Sequence, residues 1–285
     1  MKWGTAKTLI IICLVILNIV LLLMIQSSGQ RYFLTEERER TIIEVLEKNN
    51  IYINTALLKN FEPKKSLEMI PFSQSREEIR DMFLEDGNNA RLTTEFEKTI
   101  YTLENKKLTI SNSNILYENT VFEKNFELTE ETAIKVAEEF LQRIDKSNFK
   151  FNLTAVRKDY ILVDFREVFQ EKILYGNYFQ FKLSENGIIE IKCSYHSPAN
   201  LYGYKQELIA PDEALLNFMQ NIRKFYVETE VLAIERFDLV YYQNIGVIDR
   251  HSTIRLTPHY RIYLKDRVEP FLINAFSNEF IFSLL

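Results

Sequence analysis

Only two cysteines occur in the 285 residues, and Cys13 lies inside a long apolar run, so Cys193 has no partner with which to form an intrachain disulfide. The folded part must be held by an apolar core. Glycine (7) and proline (6) are scarce, which excludes a Gly-rich phosphate cradle and a low-complexity stalk. The three histidines, His196, His251 and His259, match no metal-ligand spacing, and no metal or other cofactor is expected. Nucleophile-elbow and zinc-protease motifs are missing too, so the chain is not read as an enzyme. Cys193 sits in a predicted strand and reads as a small buried hydrophobe.

Positive charge is the next shortage. The 35 Lys and Arg face 40 Asp and Glu, and two of the basic residues, Lys2 and Lys7, precede the apolar run. That balance argues against nucleic acid as a partner.

What the chain does have is MKWGTAKTLIIICLVILNIVLLLMIQ at its start. Leu9 to Ile25 is apolar except for Asn18, and fourteen of these residues are Leu, Ile or Val. At about 0.3–0.6 kcal/mol each near a bilayer centre, they outweigh one Asn and predict a single transmembrane helix. Lys2 and Lys7 before it, against Arg31, Glu36 and Glu37 after it, predict a cytoplasmic N-terminus and an extracytoplasmic remainder. Ser27 and Gly29 are small enough for a signal cleavage site, but the run exceeds the roughly 7–15 residues of a signal core, which favours retention in the membrane.

One face of this helix carries Gly4, Thr8, Ile11, Val15, Asn18, Leu22 and Ile25, alternately four and three apart. That is the spacing of a packing seam, in which a second helix would satisfy Thr8 and Asn18; the alternative is a plain anchor that tolerates Asn18 as a single polar residue.

Beyond residue 29, the fold class is α+β, an extracytoplasmic domain of repeated helix-plus-antiparallel-meander modules. Residues 30–125 form an N-terminal module. In it Thr35 caps a helix ending at Asn49-Asn50, IYINTALL makes a brief strand, polar residues follow Pro63, REEIRDMFLED makes a second helix, and IYTLE, KLTIS and ILYEN form a meander. Residues 126–285 hold two helix-plus-sheet repeats, 126–206 and 207–285. In the first, Thr129 caps LTEETAIKVAEEFLQRI, and four strands follow, with Asn186-Gly187 as a hairpin turn. LIAPDEALLNFMQNI mirrors that helix, with Pro211 at its start, and VLAIERFDLVYYQ, TIRLTPHYRIYL and EPFLINAF follow as strands.

The 15 Tyr and 21 Phe mainly fill cores, because they alternate within strands. Tyr195, Tyr202 and Tyr204 lie in YHSPANLYGY, which lacks a core periodicity, and are candidates for an exposed extracytoplasmic interface.

Taken together, MKWGTAKTLIIICLVILNIVLLL, GNYFQFKLSENGIIEIKCSY, DLVYYQ, TPHYRIYL and FLINAFSNEF resemble the YycI family of membrane-anchored regulators of a two-component system. The resemblance runs over most of the chain and is weakest in the N-terminal module. His259-Tyr260 stands where that family has an aromatic Trp beside the late Pro, and Asn278 where it commonly has Gly. Asn can take the left-handed turn that Gly would. The resemblance implies a single-pass, non-catalytic protein of the cell membrane. Its transmembrane helix would contact a sensor histidine kinase of the WalK/YycG type, and its outer domain would pair with a YycH-like protein in a hetero-oligomer. The rival reading is an extracytoplasmic binding or protease-inhibitor module tethered by the same helix.

Overall fold

The structure is a computed structural model that describes residues 3–70, 74–111, 114–120, 127–243 and 253–282; within these, the side chains of residues 5, 6, 9, 23–30 and 199 lie outside the description. Helix α1 runs from Trp3 to Arg31 and α2 from Glu36 to Glu47. The Thr35 hydroxyl accepts the Arg38 N–H at 3.4 Å and opens α2; Asn50, just past its end, takes a left-handed φ of 58°.

Strand β1 (Ile51–Ile53) follows, then β2 (Lys64–Ile70), α3 (Arg76–Phe83), and β3 (Arg91–Glu95), β4 (Lys98–Leu103), β5 (Lys106–Ser111) and β6 (Asn114–Asn119). IYINTALL, expected as one strand, pairs only through Ile53, and the polar stretch after Pro63 is a strand instead of a loop. In β2 only Leu67 and Met69 are fully buried. Two apolar residues among lysines and glutamate are too weak a period-2 signal to compete with a polar-loop reading.

Helix α4 spans Glu130–Arg143 and opens with a reciprocal cap: Thr129 Oγ1 accepts the Thr132 N–H at 3.2 Å, and Thr132 Oγ1 accepts the Thr129 N–H at 2.9 Å. An antiparallel run follows, β7 (Phe149–Val156), β8 (Ile161–Phe169), β9 (Lys172–Ser184) and β10 (Gly187–Ser194). Then come β11 (Ser197–Gln206), α5 (Pro211–Ile222) and a second antiparallel run, β12 (Leu232–Tyr242), β13 (Ile254–Leu264), β14 (Phe271–Asn274) and β15 (Phe280–Phe282). Asn278, in the turn between β14 and β15, has a φ of 60° and donates its N–H to Asn274 O, the left-handed turn expected of a residue standing in for Gly.

The strands join into one mixed sheet ordered β11-β2-β13-β12-β9-β10-β6-β5-β4-β3, with β7 and β8 leading off β9. Two apolar cores line it. The first packs α3 and α4 against β4 to β10, with Phe140, Phe165, Phe179 and Phe181 at its centre. The second packs α2 and α5 against β1, β12, β13 and β14, around Leu46, Phe218, Tyr260 and Phe271. Residues 30–125 are therefore shared: α2 and β1 complete the α5 core, whereas α3 and β4 to β6 complete the α4 core. The two halves meet where β9 pairs parallel with β12, Ile173 beside Val240 and Leu174 beside Tyr241.

Candidate interaction surfaces

In α1, the described apolar side chains from Ile10 to Leu22 are exposed on every side of the helix. Among the described residues no helix is long and apolar enough to cross a membrane. Gly4, Thr8, Ile11, Val15, Asn18 and Leu22 are all exposed; the side chain of Ile25 lies outside the described residues. Thr8 does not depend on a second helix, because its hydroxyl donates to the Gly4 carbonyl at 3.1 Å, one turn back. At its far end α1 touches the folded part: Arg31 and Tyr32 both reach Glu207, Tyr32 Oη donating at 3.0 Å.

The three tyrosines do not share a loop. Ser197–Gln206 forms edge strand β11 against β2, and Pro198 is tolerated there because an edge strand can spare an N–H. Tyr195 is only 5% exposed. Its ring stacks on Phe179 with centroids 5.6 Å apart, Lys146 Nζ lies 4.2 Å above it, and its hydroxyl donates to Gln74 at 2.7 Å. Tyr195 is thus a core residue, a correction to its expected place on an open surface. Tyr202 and Tyr204 are 42% and 78% exposed, and the Arg255 guanidinium covers the Tyr202 ring at 3.9 Å. Between them Gly203 has a φ of 74°, within an irregularity of register that only a residue without Cβ enters freely.

Among the described residues no group of His, Cys, Asp and Glu is placed to hold a metal, and His251 lies outside them. His196 and His259 are buried, and burial holds both imidazoles below their ordinary range, His259 down to about 4. Burial likewise pushes the Cys193 thiol well up, which keeps it protonated and inert.

The residues that sequence reasoning missed are a buried charged network between the halves. Arg166 holds Asp164 in a two-pronged pair at 2.8 and 3.0 Å and donates to the Tyr175 carbonyl. Asn152 donates to Asp164 at 2.7 Å and accepts, on one side-chain oxygen, from both Arg236 and Arg261 at 3.0 Å. Arg261, fully buried, clasps Asp238 at 2.8 and 2.6 Å. Burial works against the Arg166 charge, yet Asp164, with Tyr175 and Tyr263, carries its pKa above the ordinary value. Such a cluster links β7 and β8 of one half to β12 and β13 of the other, with every guanidinium paired. The signal was present in DFREV and ERFDL, where opposite charges stand two apart, and in HYRIY, where one Arg stands inside an otherwise apolar strand.

Among comparisons with known proteins, a family model described as YycI protein matches residues 30–276. The chain belongs to the YycI family. Membership in this regulatory family supports a role in the YycFG regulatory system. No curated protein matches it. Among solved structures, an uncharacterized protein from Eubacterium rectale is similar at a TM-score of 0.55 and 10% identity, over 86% of this chain and 99% of that one, a likeness of fold alone. YycH from Bacillus subtilis (TM-score 0.48, 14% identity, 74% of this chain and 54% of that one) and the Bacillus megaterium YpeB C-terminal domain (0.42, 12%, 74% and 96%) are more distant.

Proposed function

We propose that this YycI-family chain is a non-catalytic regulator of a WalK/YycG-type sensor histidine kinase, held in the cell membrane by α1 with residues 30–285 outside. The family match over residues 30–276 carries this reading. The character of α1 supports the membrane part, since a helix with apolar side chains exposed on every side is stable only in an apolar surrounding. Docking of the folded part onto a YycH-like protein, with Tyr202 and Tyr204 in the contact, raises the local concentration of α1 beside the kinase helices. Packing along the seam through Ile11, Val15 and Asn18 then biases the kinase between two states, which takes a few kcal/mol of differential contact.

The test is affinity capture from native membranes in mild detergent, comparing the full chain with one whose first 26 residues are replaced by an unrelated transmembrane helix. Recovery of the kinase by the first alone is expected. Equal recovery by both moves the contact to the folded part and sinks the role given to α1.

A further inference from the structure

Among the described residues, strand β7 pairs on one side only, with β8. Its hairpin closes with the Arg157 N–H donating to the Tyr160 carbonyl at 2.9 Å. Antiparallel pairing alternates from that closing pair, so the N–H and C=O groups of Thr154 and Val156 point away from β8, along the open edge. Two contacts agree with this phase. The Val156 carbonyl is met by the Arg157 guanidinium at 3.4 Å, and the Asn152 carbonyl by Arg236 at 3.0 Å.

The open edge is one wall of a groove of about 480 Å³. Residues 153–157, residues 263–268, Glu235 and Arg236 line it. A volume of this size lies within the range of about 300–1,000 Å³ typical of ligand sites. Four cations line it, Arg157, Arg236, Lys265 and Arg267, against the two carboxylates Glu235 and Asp266, in a chain whose net charge is −5. Glu235 accepts a hydrogen bond from the Asn54 side-chain amide at 2.9 Å. Arg236 is fixed by Asn152, and Arg267 lies over the Phe271 and Phe282 rings at 4.5 and 4.8 Å. Arg157 and Lys265 stand exposed.

We propose that this groove is a docking site for an extended acidic segment of a partner protein, which adds a strand to the edge of β7 at Thr154 and Val156 and sets its carboxylates between Arg157 and Lys265. Main-chain hydrogen bonds to an open edge supply affinity, and the charges lining the groove supply selectivity. A lone anion would use the cations but leave the edge amides untouched. The inference stands apart from the role of α1, because every residue it uses lies in the folded part.

The experiment uses the full chain in detergent micelles and a labelled synthetic hexapeptide, Asp-Val-Glu-Val-Asp-Val. Saturable binding is expected, with slowed hydrogen exchange at the Thr154 and Val156 amides, and with roughly tenfold weakening in R157E/K265E. Both substituted residues are exposed, and an unchanged denaturation midpoint shows that the variant is folded. Failure of the acidic peptide to saturate, or equal binding of a Lys-for-acid peptide, overturns the proposal. Equal binding of a peptide N-methylated at alternate amides, or full competition by free glutamate, reduces the groove to a small-anion site and overturns it as well. Self-association of the chain that R157E/K265E abolishes makes a second copy the occupant, with the same consequence.

Discussion

The half built on α4 and the half built on α5 share one plan, a helix on the face of an antiparallel run, but they recruit their strands differently. All buried residues of the α4 core fall between Ile79 and Tyr195. The α5 core needs Leu34 to Phe61 as well as Leu208 to Ala275, two segments separated by the whole of the first core. Loop-closure cost grows only as about (3/2)RT ln n, so this excursion costs little stability, but it delays formation of the long-range contacts. The α4 half is expected to form first and to offer the edge of β9 on which β12 then pairs.

Entry into the two helices differs as well. α4 is capped by its own Thr129 and Thr132, whereas α5 begins at Pro211 without a side-chain cap. Its first turn is met by Arg38 of α2, which reaches Asp212 at 2.8 and 2.7 Å. One helix start is closed locally; the other is closed by a residue 174 positions away.

The buried network is where the two halves can be pulled apart most forcefully. Asp164→Ala strands Arg166 without its carboxylate and removes an anchor of Asn152, so a loss of about 3–5 kcal/mol is expected in urea denaturation. Hydrogen exchange should then rise in β12 and β13 as well as in β7 and β8. A rise confined to β7 and β8 would show that the network belongs to one half.

Acid should separate the halves next. The His259 pKa, about 4 in the folded protein against the ordinary 6.5, means that the unfolded chain binds the extra proton between those values; stability is therefore lost as pH falls from 6.5 toward 4. The size is about 3 kcal/mol. Glu167, in the other half, has the opposite sign: burial raises its carboxyl pKa, despite hydrogen bonds from Asn177 and Asn148, so its contribution is present below the ordinary carboxylate range and is lost as pH rises through the folded value. His259→Phe should flatten the fall in urea midpoint between pH 6.5 and 4; an unchanged slope would reject this assignment.

The smallest effects concern the helix starts. Thr129→Ala should cost about 1 kcal/mol, from lost caps. Arg38→Ala should cost about 1 kcal/mol or less, because the arginine is 41% exposed. A larger loss from Arg38→Ala than from Thr129→Ala would make the distant closure of α5 the stronger of the two.

Much of this was readable in residues. Thr129, Pro211 and the Asn186-Gly187 turn mark their elements through local chemistry, and the periodicity of Ala133, Val136, Ala137, Phe140 and Leu141 picks out a face of which all but the half-buried Val136 are buried. Asn278 forecasts its own left-handed backbone. β2 and β11 were not readable, because each is an edge or near-edge strand whose polar side chains meet water and whose strand state comes from pairing. Tyr195 was misplaced for a related reason: its polar neighbours suggested a loop, yet Phe149, Phe179 and Lys146 enclose it from elements that lie elsewhere in the chain.

By itself the sequence determined the apolar character of α1, the lack of disulfides, the helix starts and the alternating strands, all properties of residues within a turn or two of each other. Tertiary structure alone decided which half α2 and β1 complete, how Asp164, Arg166, Arg236, Asp238 and Arg261 satisfy one another, and which edge of β7 stays open beside Lys265. Each depends on pairing between segments scores of residues apart, and a buried charge or an open edge acquires meaning only when its partner, or the lack of one, is fixed in space.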